Sequence, residues 1–172
     1  MDSGTIQTVE ETIGHIFSNK KLLISALTTK AYLKEHEKEI GPKKDITHYK
    51  ILEPIGDSVL DLIVTSELSK LNGKIITEME KAKNKDRYVA EKNLHDIAIR
   101  MKLNTFLQMG KGEIKNNIQD NKKVCDALVE ALIAAVYLDC MDPEDKVDMI
   151  EVRKVIVENL GIFNKEDQSI SS

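Results

Sequence analysis

The sequence predicts an all-α fold, and three observations predict it. Apolar residues recur every three or four positions through most of the 172-residue chain, which is the spacing of one helix face. Eight Gly and three Pro are too few for the many turns of an all-β fold. The apolar residues are mostly Leu, Ile, Val and Ala, which suit helices packed on helices. The length and the hydrophobic fraction of 41% fit one domain with one core.

Two short helices and one long helix are predicted in the first half. We expect the first over Thr8–Ile16 and the second over Lys20–Thr29. The stretch Glu35–Asp45 is charged and contains a Gly-Pro pair, so it is predicted as a loop. A long helix follows over Tyr49–Lys70, and Leu71-Asn72-Gly73 supplies its C-terminal stop.

Three further helices are predicted in the second half. Thr77–Met101 is helical in pattern and heavily charged, and a short element covers Asn104–Met109. Gly110–Asn121 is predicted as a polar loop, and Lys122–Leu138 as a strongly apolar helix. The last helix is expected to start at Asp142-Pro143, an N-cap followed by proline, and to end at Leu160 before Gly161. Residues 8–161 then form the domain and residues 162–172 a flexible tail.

The composition and the chain start indicate an intracellular protein, cytoplasmic or nuclear, with no membrane partner. No apolar run reaches membrane-spanning length, and the start lacks the regions of a secretory signal. Cys125 and Cys140 would lie about 22 Å apart on one helix, so we expect reduced thiols. The net charge of -4 does not itself indicate a nucleic-acid partner, nor does it exclude one, because basic residues can cluster locally.

Two acidic pairs stand in the two most apolar predicted helices. Glu53 and Asp57 are four residues apart, as are Asp126 and Glu130, so each pair projects from one helix face. Such pairs are usually exposed charges, but here the neighbours are nearly all apolar. Buried carboxylates are costly unless they are paired or bound to a metal. We therefore predict that the pairs bind Mg²⁺, which Mn²⁺ can replace, at a site suited to phosphodiester hydrolysis.

Four segments in the same order resemble the ribonuclease III family. Residues 13–17, Ile-Gly-His-Ile-Phe, resemble its opening helix. Residues 52–60, Leu-Glu-Pro-Ile-Gly-Asp-Ser-Val-Leu, resemble its signature helix. Residues 110–113 resemble its Gly-rich loop, and residues 130–139 its second acidic helix. The family includes bacterial ribonuclease III and the nuclease domains of Dicer. The resemblance spans about Ile13 to Leu160, nearly the whole chain.

The resemblance implies a helical nuclease domain that dimerises and cleaves double-stranded RNA with Mg²⁺. In the family four carboxylates hold the metal, and three of them map onto Glu53, Asp57 and Glu130. The fourth position, three residues before the last Glu, is Ala127 here, and Asp126 lies one residue earlier. We hypothesise that Asp126 substitutes for the missing ligand through a small rotation or a one-residue π-bulge of its helix. The alternative is a weakened or inactive subunit that binds RNA or a partner.

Two other departures from the family pattern affect the signature helix. Lys50 stands where many members carry a glutamate. Its ammonium either neutralises part of the group of carboxylates or points outward into solvent, and we favour the outward arrangement. Pro54 stands where the family usually carries a phenylalanine that inserts into the partner subunit, so the helix starts near Tyr49 or bends at Pro54. The resemblance still implies a homodimer, with Leu52, Pro54 and Ile55 at the interface.

Lysines near the Gly-rich loop are the candidate RNA contacts: Lys111, Lys115, Lys122 and Lys123. Lysines bind phosphates without reading sequence, and duplex RNA is read mainly by shape, so little sequence preference is expected. A solvated charged face is an equal alternative. We expect no separate double-stranded-RNA-binding domain after Leu160, and therefore weak, salt-sensitive RNA binding.

Overall fold

The structure is a computed structural model that describes residues 1–40, 45–70 and 86–163. This part of the chain is helical and contains no β-strand; its strand-type contacts are two isolated bridges, Thr28–Gln108 and Met141–Val147. The predicted all-α fold is therefore confirmed. Within these ranges, no helix has the length and apolar content needed to cross a membrane.

Helices of very different lengths make up the described part of the chain. They are α1 (Ser3–Ile13), α2 (Lys20–Ala26), α3 (Lys30–Glu35), α4 (Glu37–Ile40), α5 (Tyr49–Lys70), α6 (Glu91–Arg100), α7 (Lys111–Lys115), α8 (Lys122–Asp139) and α9 (Met149–Lys154). Short 3-10 turns occur at Leu103–Phe106 and Ile118–Asp120, and α9 continues into a π-helical turn over Val155–Asn159.

Helix α8 is the centre of the core. Residues 127–136 of this helix are all buried, as expected for a helix that is apolar on every side and must be surrounded by others. Helices α2, α5 and α6 pack around it. The face of α5 that meets the core carries Leu60, Ile63 and Val64, each with 5% exposure or less. The two predicted acidic pairs consequently lie on neighbouring helices.

Both ends of α8 are anchored by side-chain hydrogen bonds. At the start, Asn121 caps the helix by accepting from a backbone N–H of its first turn at 3.0 Å. At the end, Asp139 accepts from the backbone N–H groups of Ser18 at 2.9 Å and Asn19 at 2.7 Å. The same carboxylate lies 3.0 Å from Nε2 of the buried His15. The rotational position of the central helix is therefore fixed by both of its ends.

The two central helices are confirmed, whereas the first helix differs from its prediction. Helix α5 has the predicted bounds and runs through Pro54 from Tyr49, and α8 is one residue longer than expected. Helix α1 lies five residues earlier at its start than predicted, because Asp2 caps it by accepting from the N–H of Thr5 at 2.9 Å. It ends at Ile13, since Gly14 adopts a left-handed conformation with φ of 67°.

The predicted start of the last helix is wrong. Asp142 does not cap a helix; its carboxylate accepts from the N–H groups of Glu144 at 2.8 Å and Lys146 at 2.9 Å and so closes a turn. Asp148 is the N-cap, accepting from Ile150 N at 3.0 Å, and α9 begins one residue later. The predicted end is confirmed, because Gly161 is left-handed with φ of 63°.

Smaller differences concern the predicted loops. The stretch Glu35–Asp45 includes α4, and Gly110–Asn121 includes α7 and a 3-10 turn. Helix α2 ends at Ala26, short of Thr29, because the Thr29 hydroxyl caps α3 by accepting from the N–H of Tyr32 at 3.1 Å. Three predicted features lie outside the described part of the chain. They are residues 77–85 of the helix predicted over Thr77–Met101, the C-terminal stop predicted at residues 71–73 after α5, and tail residues 164–172.

Cys125 and Cys140 are free thiols, which confirms that they do not pair with each other. Burial first, and then nearby carboxylates, Asp120 for Cys125 and Asp139 for Cys140, together raise the pKa of each thiol to about 11. The Cys125 thiol donates to the carbonyl oxygen of Gln119 at 3.1 Å. Both thiols are consequently protonated at neutral pH and poorly reactive.

Candidate metal centre

Helices α5 and α8 touch where Gly56 meets Glu130. A Cβ atom on Gly56 would lie 1.7 Å from the carbonyl oxygen of Glu130 and 2.4 Å from its carbonyl carbon, so the backbones approach as closely as glycine allows. Glu53 and Asp57 flank Gly56 on α5, and Asp126 precedes Glu130 by one turn on α8. The crossing therefore brings the two predicted acidic pairs to one place, named here the acidic cluster: Glu53, Asp57, Asp126 and Glu130.

Exposure increases across the acidic cluster from the core to the surface. Glu130 is buried, with 7% of its surface exposed. Glu53 and Asp126 are half-buried, and Asp57 is exposed. The cluster thus has a closed side, where carboxylate charge is costly, and an open side that faces solvent.

Burial first, and then the charges of Asp126, Asp57 and Glu53, together raise the pKa of the Glu130 carboxyl to about 8. The apolar interior disfavours the ionised form, and each neighbouring carboxylate repels a further negative charge. Lys50 acts in the opposite direction and lowers the pKa of Glu130. The interaction of Glu130 with these carboxylates indicates that the acidic pairs of both helices share one electrostatic environment.

Burial first, and then the charges of Glu91, Glu53 and Asp57, raise the pKa of Asp126 to about 6, against a lowering effect of Lys50. Glu91 is the first residue of α6 and was missed by the sequence analysis. No spacing pattern could have found it, because its proximity to Asp126 comes from the packing of α6 on α8. Glu91 adds negative charge beside the acidic cluster.

Asp126 interacts with the other carboxylates from its own helical position. Helix α8 is a regular α-helix throughout, so the predicted alternative of a π-bulge is wrong. Positions four apart on a helix are about 40° out of line, and this offset is small enough for Asp126 and Glu130 to face one cluster. Ala127 is 1% exposed and has no donor atom in its side chain. The structure therefore supports Asp126, rather than its neighbour, as the fourth carboxylate of the cluster.

Lys50 contacts the acidic cluster directly. Its Nζ lies 2.6 Å from Oε2 of Glu53, one turn along α5. The favoured expectation that Lys50 points outward is therefore wrong. The physical reason is that the negative charge of the cluster attracts the ammonium, which pairs with Glu53 while 48% of the Lys50 side chain stays exposed.

The acidic cluster fits a divalent cation by its chemistry, although its side chains are not assembled around one point. Among the described residues, no group of three or more His, Cys, Asp or Glu side chains is placed so that it could hold a metal ion. The donors are all carboxylate oxygens, the hard ligands that Mg²⁺ and Mn²⁺ prefer. Their mutual repulsion, which raises the pKa of both Asp126 and Glu130, is relieved by a cation.

Residues 19–148 of the chain match the family model described as Ribonuclease-III-like. Over 140 residues, the chain is 34% identical to Ribonuclease 3 of Carboxydothermus hydrogenoformans, in an alignment that covers 81% of this chain and 57% of that protein. The chain belongs to the ribonuclease III family. Ribonuclease 3 of Clostridium beijerinckii is 36% identical over 139 residues, covering 81% of this chain and 56% of its own length. The chain spans about half the length of these curated relatives.

The fold is also similar to solved ribonuclease III structures. The nuclease domain of ribonuclease III from Campylobacter jejuni superposes with a TM-score of 0.74 at 26% identity, covering 90% of this chain and 95% of that one. That structure is described as flexible in a region involved in dimer formation. A second structure of the same domain gives a TM-score of 0.73. The predicted ribonuclease III-like helical fold is therefore confirmed.

The candidate RNA-binding lysines of this ribonuclease III chain are all exposed: Lys111, Lys115, Lys122 and Lys123. The Gly-rich loop that bears Lys111 is held on α3, because the Lys111 N–H lies 3.1 Å from both carboxylate oxygens of Glu35. Lys122 and Lys123 lie in the first turn of α8, about one turn before Asp126. Two of the lysines thus stand close to the acidic cluster along the same helix.

The residues predicted at the ribonuclease III dimer interface separate into two groups. Leu52 is 5% exposed and packs in the core of the subunit, so it offers little surface to a partner. Pro54 is exposed and Ile55 is 36% exposed. Sequence analysis missed Ile51 and Leu62, which are 57% and 58% exposed on the same face of α5. Their helical spacing from Ile55, which places all three residues on one helix face, is the sequence signal that indicates them.

Proposed function

We propose that this protein is an endoribonuclease that cleaves double-stranded RNA by metal-assisted hydrolysis of the phosphodiester backbone, and that residues 8–161 form the nuclease domain. The observation that carries the proposal is the meeting of two acidic pairs at the crossing of α5 and α8. Family membership supports the same activity. An acidic cluster facing solvent on one side is suited to bringing a cation and a phosphate together.

The residues that would hold Mg²⁺ are Glu53, Asp57, Asp126 and Glu130. A bound divalent ion supplies an activated water and stabilises the charge on the phosphate and the leaving oxygen. Buried Glu130 holds a proton near neutral pH and would exchange it for the cation, because a carboxylate must be ionised to bind metal. Exposed Asp57 presents its carboxylate on the side from which the substrate arrives.

No protein nucleophile is required by this proposal. Ser58, the hydroxyl nearest to Asp57 in sequence, donates to the carbonyl oxygen of Pro54 at 2.9 Å within its own helix. This local bond occupies the hydroxyl within its own helix and holds it away from a catalytic role. Water is therefore the proposed nucleophile.

Substrate binding is assigned to the exposed lysines around the Gly-rich loop and the start of α8: Lys111, Lys115, Lys122 and Lys123. Ammonium groups bind phosphates of either strand without reading bases, which suits a duplex recognised by its shape. With a net charge of -4 for the whole chain, RNA affinity is expected to fall steeply as salt rises.

Cleavage of a long duplex RNA by the purified protein tests the proposed activity. We expect cutting with Mg²⁺ or Mn²⁺, none with a chelator, and little on single-stranded RNA or duplex DNA. Asp57→Asn should reduce the cleavage rate roughly a hundredfold or more, because it removes a ligand worth several kcal/mol in the transition state. Asp57 is exposed, so this variant should remain folded. Asp96→Asn, an exposed change on α6, is the matched control.

A weakened subunit that binds RNA without cutting it is the second candidate, favoured by Ala127 and by the contact of Lys50 with Glu53. Binding of duplex RNA by the parent protein without cleavage in either metal would support this candidate over the nuclease. Asp126→Ala decides the role of the fourth carboxylate. A cleavage rate equal to that of the parent would remove Asp126 from the mechanism.

We also propose a homodimer formed through the exposed apolar face of α5, which carries Ile51, Pro54, Ile55 and Leu62. The structure of the Campylobacter jejuni nuclease domain is described as having a region involved in dimer formation. This description supports a second copy of this chain as the partner. A symmetric dimer would present one acidic cluster to each strand of the duplex.

Charge placed on this face is expected to separate the dimer. The double change Ile51→Glu and Leu62→Glu should weaken self-association about a hundredfold or more, since each buried aliphatic side chain contributes roughly 1.5–3 kcal/mol. Sedimentation equilibrium over a range of concentrations measures the change. Ile150→Glu is the control, because Ile150 is 82% exposed on α9. A monomeric parent at high concentration, or equal dissociation by the control, would contradict the assignment of α5 as the interface.

A further inference from the structure

Lys50 lies against the acidic cluster as a fixed cation. Its Nζ is 2.6 Å from Oε2 of Glu53 and 5.7 Å from the centre of the Tyr49 ring. The carboxylate and the ring face attract the ammonium, so together they hold it in place. The Lys50 side chain is 48% exposed, which lets the ammonium keep part of its hydration while it remains paired.

The charge of this ammonium acts on more than its direct partner. Lys50 lowers the pKa of both Asp126 and Glu130, against the raising effect of burial and of the neighbouring carboxylates. Three of the four proposed metal ligands therefore interact with a positive charge that belongs to the chain itself. Tyr49 and Lys50 begin α5, whose first N–H is fixed by a 2.9 Å bond to the carbonyl oxygen of Thr28, so this end of the helix is firmly placed.

We propose that Lys50 acts as a resident cation of the acidic cluster, competing with divalent ions for Glu53 and restricting the cluster to one weakly held ion. This inference rests on the proposed metal site. An incoming ion must displace the ammonium from Glu53 or bind beside it. Displacement costs the ion pair, and binding beside it places two positive charges within about 6 Å, where repulsion is strong in a partly buried site. Salt screens only part of that repulsion.

The residue at this position is therefore expected to set the metal requirement of the chain. A glutamate in place of Lys50 would change the charge beside the same carboxylates by two units. A glutamate would add an oxygen ligand and remove the competing ammonium, which favours a second ion. With Lys50, the chain itself supplies one permanent positive charge. It should therefore need a higher Mg²⁺ concentration than a chain with glutamate at this position to fill the metal site to the same extent.

Calorimetric titration of Mn²⁺ into the metal-free full chain tests this role without any cleavage assay. Lys50→Met removes the charge and keeps an apolar stem, and we expect it to bind Mn²⁺ about tenfold more tightly or better. Lys50→Glu should bind more tightly still and raise the stoichiometry from one ion to two. Lys154→Met is the matched control, because Lys154 is 49% exposed and pairs with Glu151 at 3.3 Å across the same i,i+3 spacing. This control should bind Mn²⁺ like the parent.

The possible results distinguish a failure of the proposed role of Lys50 from a failure of the proposed metal site. Tighter Mn²⁺ binding in both Lys50 variants, with Lys154→Met unchanged, supports the inference. If the parent binds Mn²⁺ and Lys50→Met binds it no more tightly, the role of Lys50 is overturned while the metal site stands. If neither the parent nor any variant binds Mn²⁺, the proposed metal site fails and the role of Lys50 fails with it. Circular dichroism of each variant confirms that the compared proteins are folded.

Discussion

Replacing Gly56 by alanine is expected to destabilise the protein by about 3 kcal/mol or more and to abolish cleavage. The added Cβ would lie 1.7 Å from the carbonyl oxygen of Glu130, which is backbone and cannot rotate away as a side chain can. Helices α5 and α8 must therefore separate, opening the core and pulling the two acidic pairs apart. For a domain of this size the melting temperature should fall by roughly 10 °C, measured by circular dichroism.

Gly112→Ala is the control for this substitution. Gly112 is also helical, within α7, but a Cβ atom there would meet no atom within 4 Å. Alanine is the better helix former, so Gly112→Ala should leave stability unchanged or raise it by about 0.5–1 kcal/mol. A Gly56→Ala protein as stable as the Gly112→Ala protein would show that the helices do not touch as described.

Without divalent ions, the protein is expected to lose stability as the pH rises from about 4.5, the ordinary pKa of a glutamate, to about 8, the pKa of Glu130 in the fold. Over this range the unfolded chain has released the Glu130 proton while the folded chain still holds it. Ionisation therefore favours unfolding, by up to about 1.4 kcal/mol per pH unit and on the order of 5 kcal/mol in total. Asp126 likewise lowers the stability of the fold as the pH rises from 3.8 to about 6.

Glu130→Gln should remove most of this dependence, because the amide keeps the shape of the side chain and cannot ionise. Urea unfolding of the metal-free protein at several pH values measures the effect, and excess Mg²⁺ should restore stability to the parent at high pH by binding the ionised form. Glu144→Gln, a change at an exposed side chain, is the control and should keep the dependence of the parent. A parent whose stability rises between pH 6 and 8 would contradict the raised pKa of Glu130.

The fold could be predicted from sequence wherever a strong period acts over many residues. Helices α5 and α8 were located almost to the residue because their apolar patterns run for five or six turns. The short elements were less accurate, because single side-chain bonds decide them. Asp2 starts α1 and Asp148 starts α9, while Asp142, which has the same residue type, closes a turn instead. Spacing along the chain does not distinguish these three aspartates.

The acidic residues of the candidate site were predictable, but their arrangement was not. Glu53, Asp57, Asp126 and Glu130 stand out as carboxylates in apolar surroundings, and burial of Glu130 agrees with that reasoning. Contacts between helices depend on tertiary packing, so the charge of Glu91 beside Asp126 was not predicted. The pairing of Lys50 with Glu53 was considered from the sequence but not favoured. A glycine inside the apolar pattern of α5 was the one local signal of a close helix crossing.

The anchoring of α8 at Asn121 and Asp139 has an evolutionary consequence for the spacing of its acidic pair. An insertion or deletion inside the helix would turn one end about 100° relative to the other and break one of the two anchors. Point substitutions at residues 126 and 127 leave both anchors intact, whereas a single-residue insertion or deletion between the anchors does not. The interval between the two acids of this helix is therefore open to change by substitution and closed to change by a shift in the length of the helix.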